Sequence, residues 1–193
     1  MHNPFHKILQ IYNTGFRQTT DATCGPASMS IAAAGFGLEL KQESEWRNNA
    51  FSKWVPVDQF LDRGMAMHEL QFTSQLIYGS KIDITMRRSF PENLPLFLHD
   101  VKNSFQTMRS VVIVNYPQDD FVHLAPHPSG NPHYSPLIDW DETQNKVLIA
   151  DIDPALKEPY WVSVEAIFQS MNKCNPAFNL PRGWLVMYKR NSL

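Results

Sequence analysis

Residues 24–35 form a segment without any charge, and this segment constrains the fold more than any other part of the sequence. It begins with Cys24 and continues with small and apolar residues only. Pro26 is typical of a first helical turn, and Gly35 is typical of a helix end. A helix that has no charged face must be covered by the rest of the chain, so we predict a buried helix here.

The composition supplies enough apolar residues to cover such a helix. The chain has 193 residues, of which 43 % are hydrophobic and 19 % are charged, which excludes a disordered tail and predicts a single domain over residues 1–193. The net charge is −2 and no basic block occurs, so we expect no nucleic-acid partner. No run of 18 apolar residues occurs, so we expect no membrane span.

The remaining elements divide into a helical part and a part rich in strands. Proline and glycine interrupt residues 38–110 at several places, which predicts mostly helices, including one at 94–108. After residue 110 the patterns predict a buried strand at 111–115, a hairpin of 135–140 and 146–152, a helix at 163–171 with Ser163 as its N-cap, and a final strand at 183–188.

The predicted fold class is therefore α+β. We expect a helical lobe over about residues 1–110 and a sheet-rich lobe over about residues 111–193, with an active-site cleft between them.

Cys24 and Gln18 together suggest a nucleophile with an oxyanion donor. A thiol at a helix N-terminus meets unpaired N–H groups and the positive end of the helix dipole, which favour the reactive thiolate form. Gln18 precedes Cys24 by six residues. Its amide and the Cys24 backbone N–H could both donate to an oxyanion.

His133 and Asp151 supply the matching acid and base. His133 begins the first strand of the predicted hairpin, and Asp151 ends the second strand 18 residues later. Antiparallel neighbours can place these two side chains next to each other. Asp151 would then orient the imidazole, and His133 would move a proton between the thiol and a leaving amine.

Each of these residues also has an ordinary structural explanation. A cysteine in a helix of small residues is often an inert core residue, a single histidine near a turn means little, and Asp151 fits a turn. The order Gln, Cys, His, Asp, on a chain that runs from helices to a sheet, favours the catalytic interpretation of the four together.

A metal site is the weaker interpretation of the histidines. His123 and His127 precede His133 and could join it as ligands, but no second cluster of ligands supports them, so we expect no metal site and no cofactor. Cys174 has no base in register and is interpreted as a bystander. Two cysteines do not predict a disulfide framework, and a bridge between Cys24 and Cys174 is left open.

Five short blocks carry a resemblance to a known family, and they are residues 16–28, 132–136, 147–151, 161–162 and 182–186. The first resembles the nucleophile motif Gln…Cys-Gly-x-Ala-Ser of phytochelatin synthase, a branch of the papain-like cysteine transpeptidases. The second resembles the Gly-His-Phe/Trp-Ser-Pro motif of that family, and the third resembles its strand that ends in the triad Asp. The resemblance covers roughly residues 10–190.

The resemblance implies a papain-like fold and a role for each candidate residue. Cys24 would be the nucleophile, His133 the acid and base, Asp151 the orienting residue and Gln18 the oxyanion donor. The substrate would be glutathione, which forms a γ-glutamylcysteinyl thioester on Cys24 and releases glycine. Water or a second glutathione then takes the acyl group.

The chain resembles the short bacterial form of the family, which lacks a Cys-rich C-terminal region. This implies a bacterial protein, cytoplasmic or secreted, although the first 15 residues do not resemble a signal peptide. Any metal ions would bind the substrate thiolate rather than a site on the protein. A homodimer is left open.

The chain departs from the family at positions close to the motifs. Thr23 and Thr20 stand where the family has Tyr and a nearby Glu, and Pro26 replaces Leu. Pro154 stands where the family has Arg, three residues after the triad Asp. The candidates to substitute for this Arg are Lys157 and Arg182, and Trp161 is a further candidate for substrate binding.

Three functions remain open at this point. The first is a phytochelatin synthase-like enzyme that mainly hydrolyses glutathione. The second is a papain-like peptidase or amidase with another peptide substrate, which the Pro154 departure favours. The third is a binding module that retains the four residues without catalysis, which their joint presence disfavours.

Overall fold

The computed structural model describes residues 3–47, 57–122, 132–175 and 179–190. The α-helices within these ranges are α1 (Pro4–Asn13), α2 (Cys24–Gly35), α3 (Glu43–Arg47), α4 (Val57–Arg63), α5 (Met67–Tyr78), α6 (Leu94–Thr107) and α7 (Val164–Asn172). The strands are β1 (Ile82–Arg88), β2 (Ser110–Pro117), β3 (Pro132–Asp141), β4 (Lys146–Ile149), β5 (Tyr160–Ser163), β6 (Cys174–Asn175), β7 (Leu180–Pro181) and β8 (Gly183–Lys189). The predicted α+β class is confirmed.

One antiparallel sheet organises the fold, with the strand order β1-β8-β2-β3-β4-β5. Successive residues of β2 face opposite sides of it, as the pleat requires. Val111 and Ile113 join the core with α1, α2 and α5, whereas Val112 and Val114 join the core with α6 and α7. Helices therefore cover both faces of the sheet.

The predicted buried helix is present as α2, and all twelve of its residues are buried. The absence of charge explains this, because the helix has no face that water would solvate well. The helix at 163–171 is also present as α7, and the Ser163 hydroxyl accepts a hydrogen bond from the Ala166 N–H as its N-cap.

The prediction of mostly helical structure over residues 38–110 is wrong for residues 82–88. This segment is β1, which pairs with β8 about a hundred residues later, so its conformation depends on a partner far away in the sequence. The second hairpin strand is also shorter than predicted: β4 ends at Ile149, whereas the prediction extended it to Ile152.

No helix within the described ranges is long and apolar enough to cross a bilayer.

The close packing of α1 on α2 predicts that Gly35→Val destabilises the protein. A Cβ on Gly35 would lie 2.7 Å from Ile8 Cγ1 and 3.0 Å from the Pro4 carbonyl oxygen, so the two helices would have to separate. We expect a loss of about 1–3 kcal/mol in the free energy of unfolding, measured by urea denaturation. The control is Gln10→Val on the exposed side of α1, and equal stability of the two variants would contradict this packing.

Candidate active site

Cys24 is the first residue of α2, so its thiol lies at the positive end of the helix dipole. The residue is 5 % exposed. Its Sγ lies 4.0 Å from the carbonyl oxygen of Pro132, and Cys24 is close enough to the His133 ring to contribute to the raised pKa of that imidazole. The structure therefore places the predicted nucleophile and the predicted base next to each other.

The loop between Gln18 and Cys24 is closed by the hydroxyl group of Thr23. This oxygen accepts hydrogen bonds from the N–H groups of Thr19 and Thr20 at 3.2 and 3.0 Å, and it donates to the Thr20 carbonyl at 3.0 Å. The Gln18 N–H donates to the Ile152 carbonyl at 2.9 Å. The loop is thus fixed both to the start of α2 and to the segment that follows Asp151.

The Gln18 side chain is buried, and it has unused hydrogen-bonding capacity. Its Oε1 is buried and has no hydrogen-bond partner among the described residues. An unpaired buried amide is costly, and such groups call for a functional or solvent partner. This geometry is compatible with the predicted oxyanion donor, and that role stays a prediction.

His133 and Asp151 meet beside the β3–β4 hairpin, past a register shift between Leu137 and Asp139. His133 lies on β3, and Asp151 lies two residues after the end of β4. The Ala150 N–H donates to the Pro136 carbonyl at 3.1 Å, which extends the ladder past β4 and brings Asp151 next to β3. His133 Nε2 is 2.7 Å from Asp151 Oδ1, and both residues are buried.

The electrostatics of this pair favour charge on both partners. Burial alone would lower the pKa of His133, but the negative charge and hydrogen bond of Asp151, with a further contribution from Cys24, raise it to about 10. Burial would likewise raise the pKa of Asp151, but His133 and other donors hold it well below its usual range. The pair therefore has the form of an imidazolium and a carboxylate at neutral pH.

Three side chains that the sequence analysis did not single out also bind the Asp151 carboxylate. Tyr160 and Tyr116 donate to Oδ2 at 2.8 and 3.0 Å, and Gln118 Nε2 lies 3.1 Å from both oxygens. Tyrosines in apolar strands are commonly core residues, so only their position next to the hairpin could have pointed to this role.

Comparisons with known proteins give the family. The phytochelatin synthase family pattern matches residues 1–184. The chain belongs to this family. It is 21 % identical over 190 residues to glutathione gamma-glutamylcysteinyltransferase 3 of Lotus japonicus. This alignment covers 96 % of this chain and 37 % of the relative.

Two further matches support the assignment. Over 59 residues the chain is 32 % identical to glutathione gamma-glutamylcysteinyltransferase of Schizosaccharomyces pombe. This alignment covers 31 % of this chain and 14 % of that protein. A C39-like peptidase from Bacillus anthracis shares the fold, with a TM-score of 0.54 and 16 % identity, over 95 % of this chain and 98 % of the other. The chain thus spans well under half the length of its curated relatives.

Two of the predicted substrate-binding residues have structural contacts in this family member. Arg182 is buried, and its guanidinium donates to the carbonyl oxygens of Lys173 and Cys174 at 3.0 and 3.2 Å. Burial lowers the pKa of Arg182. The Lys157 carbonyl accepts a hydrogen bond from Arg17 at 3.1 Å, while its side chain is exposed.

Trp161, the third predicted substrate-binding residue, does not face the Asp151 carboxylate. It is 46 % exposed and alternates along β5 with Tyr160, so the two side chains point to opposite faces of the sheet. Tyr160 is the neighbour that contacts Asp151. The roles proposed for Arg182, Lys157 and Trp161 in substrate binding stay predictions.

The remaining candidate residues bear on metal and redox chemistry. His123 and His127 lie outside the described residues. Among the residues that are described, no group of three His, Cys, Asp or Glu side chains could hold a metal ion. Cys24 and Cys174 are both free thiols, the first buried and the second exposed.

The shifted His133 and Asp151 pKa values predict how this pair contributes to stability across pH. The contribution of Asp151 is present above its ordinary pKa and is lost as the pH falls through its lowered folded-state value. The contribution of His133 is complete below its ordinary pKa and is lost as the pH rises toward about 10. The stability difference between wild type and Asp151→Asn should therefore be largest between about pH 4 and 6.5.

Urea denaturation at several pH values measures this difference. The control is Asp139→Asn, an exposed position on β3, for which we expect a difference that changes little with pH. A stability difference for Asp151→Asn that is constant from acid to alkaline pH would contradict the ion pair.

Proposed function

We propose that this chain is a cysteine enzyme that cleaves the Cys–Gly bond of glutathione through a γ-glutamylcysteinyl thioester on Cys24. The observation that carries the proposal is the buried His133–Asp151 pair, 2.7 Å apart, beside a thiol at a helix N-terminus. Membership of the phytochelatin synthase family supports glutathione as the substrate. Two relatives also bear the name glutathione gamma-glutamylcysteinyltransferase.

Acylation uses the three side chains and the loop before α2. The Cys24 thiolate attacks the carbonyl carbon of the cysteinyl residue of glutathione, and the carbonyl electrons move to oxygen. The Cys24 N–H and the Gln18 amide donate to this oxyanion. When the oxyanion collapses, the C–N bond breaks, and the His133 imidazolium gives its proton to the leaving glycine amine.

Deacylation reverses the proton movement. Neutral His133 takes a proton from a water molecule as that water attacks the thioester carbonyl. The C–S bond then breaks, γ-glutamylcysteine leaves, and the thiolate–imidazolium pair is restored. In the transfer reaction, the amine of a second glutathione takes the place of water and forms a longer peptide.

Hydrolysis is favoured over transfer because an acceptor peptide lacks an obvious clamp. Pro154 occupies the position where the family has Arg, and it has neither a charge nor a donor. Arg182 already donates to main-chain carbonyls, and the exposed Lys157 would supply a point charge rather than a planar fork. Water needs no such clamp.

A papain-like peptidase or amidase with another substrate is the second candidate. The Pro154 departure favours it, and so does the fold shared with a C39-like peptidase. A non-catalytic binding module is less well supported, because it has no physical need for an ionised His–Asp pair beside a thiol.

Glycine release from glutathione tests the proposal, with Cys24→Ala as the control. Release by the wild type and none by the variant supports the glutathione enzyme. Labelling of Cys24 by iodoacetamide without glycine release supports the second candidate. A Cys24 that does not react with iodoacetamide at neutral pH would leave only the binding module.

Gln18→Ala should lower kcat by roughly 10²–10³-fold, the usual effect of removing one oxyanion donor. The reason is that the Cys24 N–H would remain as a single donor to the oxyanion. The matched control is Gln10→Ala on the exposed side of α1. A kcat equal to that of the wild type would show that the oxyanion donor is another group.

We expect γ-glutamylcysteine as the main product, even at high glutathione concentration. A loosely held acceptor has a low effective concentration at the thioester, whereas water is always present. Mass spectrometry of the products measures the ratio. Dominant peptides with two or more γ-glutamylcysteine units would contradict this expectation and would show that another residue binds the acceptor.

A further inference from the structure

We propose that Tyr116, Tyr160 and Gln118 are positioning residues that restrain the Asp151 carboxylate, so that His133 passes its proton to the leaving amine more readily. This inference rests on the acid–base role of His133 in the proposed function. Several donors converge on the buried carboxylate of Asp151. Their number exceeds what is needed to orient the His133 imidazole.

The two tyrosines and Asp151 form a triangle of oxygen atoms. Tyr160 and Tyr116 lie 2.8 and 3.0 Å from Oδ2, and their hydroxyl groups are 2.8 Å apart. Each hydroxyl has one proton, so at most two of the three contacts carry a hydrogen bond at one time. Either both tyrosines donate to Asp151, or one donates through the other, or Tyr116 donates to the Ser135 hydroxyl at 3.3 Å while Tyr160 donates to Asp151. Negative charge on Oδ2 is stabilised in every arrangement.

The other oxygen of the carboxylate is bound equally well. Oδ1 accepts from His133 Nε2 and from the Asp153 N–H at 3.0 Å, and Gln118 Nε2 lies between the two oxygens. Asp151 is completely buried, so these donors replace the water that an exposed carboxylate would bind. The donors come from the end of β2, from β5 and from the loop after β4.

These donors weaken the hold of Asp151 on the His133 proton. A bare carboxylate at this distance in a dry site would bind the imidazolium very strongly, and the proton would rarely reach a leaving amine. The donors stabilise the ionised carboxylate most when His133 is neutral, because its charge is then uncompensated. They therefore favour the neutral imidazole and make proton release easier.

The donors keep their protons across the working pH range. Burial and the negative charge of Asp151 raise the pKa of Tyr116 and of Tyr160 well above the ordinary value, so both remain donors. The other titratable groups that face this cluster are Cys24 at the start of α2, Tyr12 on α1, and Asp153. Burial raises the pKa of Tyr12 to about 12, so Tyr12 does not titrate with His133 either.

Tyr160→Phe and Tyr116→Phe test the proposal by the titration of His133. Nuclear magnetic resonance of the ring nitrogens gives its pKa directly, and His133→Gln identifies its signals among the seven histidines. We expect each Phe variant to raise the His133 pKa by about half a pH unit or more. The alkaline limb of kcat/KM for glycine release should move by the same amount.

The control is Tyr78→Phe, which removes a hydroxyl group from a buried tyrosine at the end of α5, outside the site. We expect it to leave the His133 pKa unchanged. An unchanged or lowered His133 pKa in the two site variants would overturn the proposal, and so would a loss of stability as their only effect.

The design separates this inference from the proposed function. If wild type releases no glycine from glutathione, the substrate is wrong, but the ring titration still decides the role of the tyrosines. If Tyr116→Phe fails to fold, the same measurement is made on Tyr160→Phe, because Tyr160 is only half-buried. Gln118→Met, which removes the third donor, should raise the His133 pKa in the same direction.

Discussion

The buried contact between His133 and Asp151 is the interaction on which the rest of the site depends. Two charges taken out of water stabilise each other only when their remaining hydrogen-bonding capacity is filled. That requirement explains why the end of β2, strand β5 and the loop after β4 all reach one carboxylate. The Ile152 carbonyl of the same loop accepts the Gln18 N–H, so a main-chain hydrogen bond joins the segment of the predicted oxyanion donor to the segment of Asp151.

Local patterns predicted the parts of the fold that local chemistry decides. The charge-free segment became the buried helix α2, and Ser163 caps α7 as predicted. The hairpin of β3 and β4 was also predictable, and a register shift between Leu137 and Asp139 puts Asp151 on the face of β3 that carries His133. In each case the cause lies within about 20 residues of sequence.

Features that depend on distant partners were not predictable in the same way. The segment Ile82–Arg88 alternates apolar and polar residues as far as Arg87, a strand pattern that the helical prediction overlooked, and only its pairing with the distant β8 had no local signal. Tyr116 and Tyr160 belong to strands that are not adjacent in the sheet, and their hydroxyl groups meet only at Asp151. Trp161, a predicted substrate-binding residue, follows Tyr160 on β5 and lies on the other face of the strand, and its role in substrate binding stays a prediction.

The Pro154 departure has a structural use that is independent of substrate binding. Asp153, Pro154, Ala155 and Leu156 form a tight turn, in which the Leu156 N–H donates to the Asp153 carbonyl at 3.0 Å and the Asp153 side chain accepts from the Ala155 N–H at 2.8 Å. Proline suits the second position of such a turn, because its fixed φ matches the geometry. Arg17 then holds the turn by donating to the carbonyl oxygens of Leu156 and Lys157. The proline and Arg17 thus make rigid the turn that follows Asp151, and so help to fix the segment that carries the His133 partner.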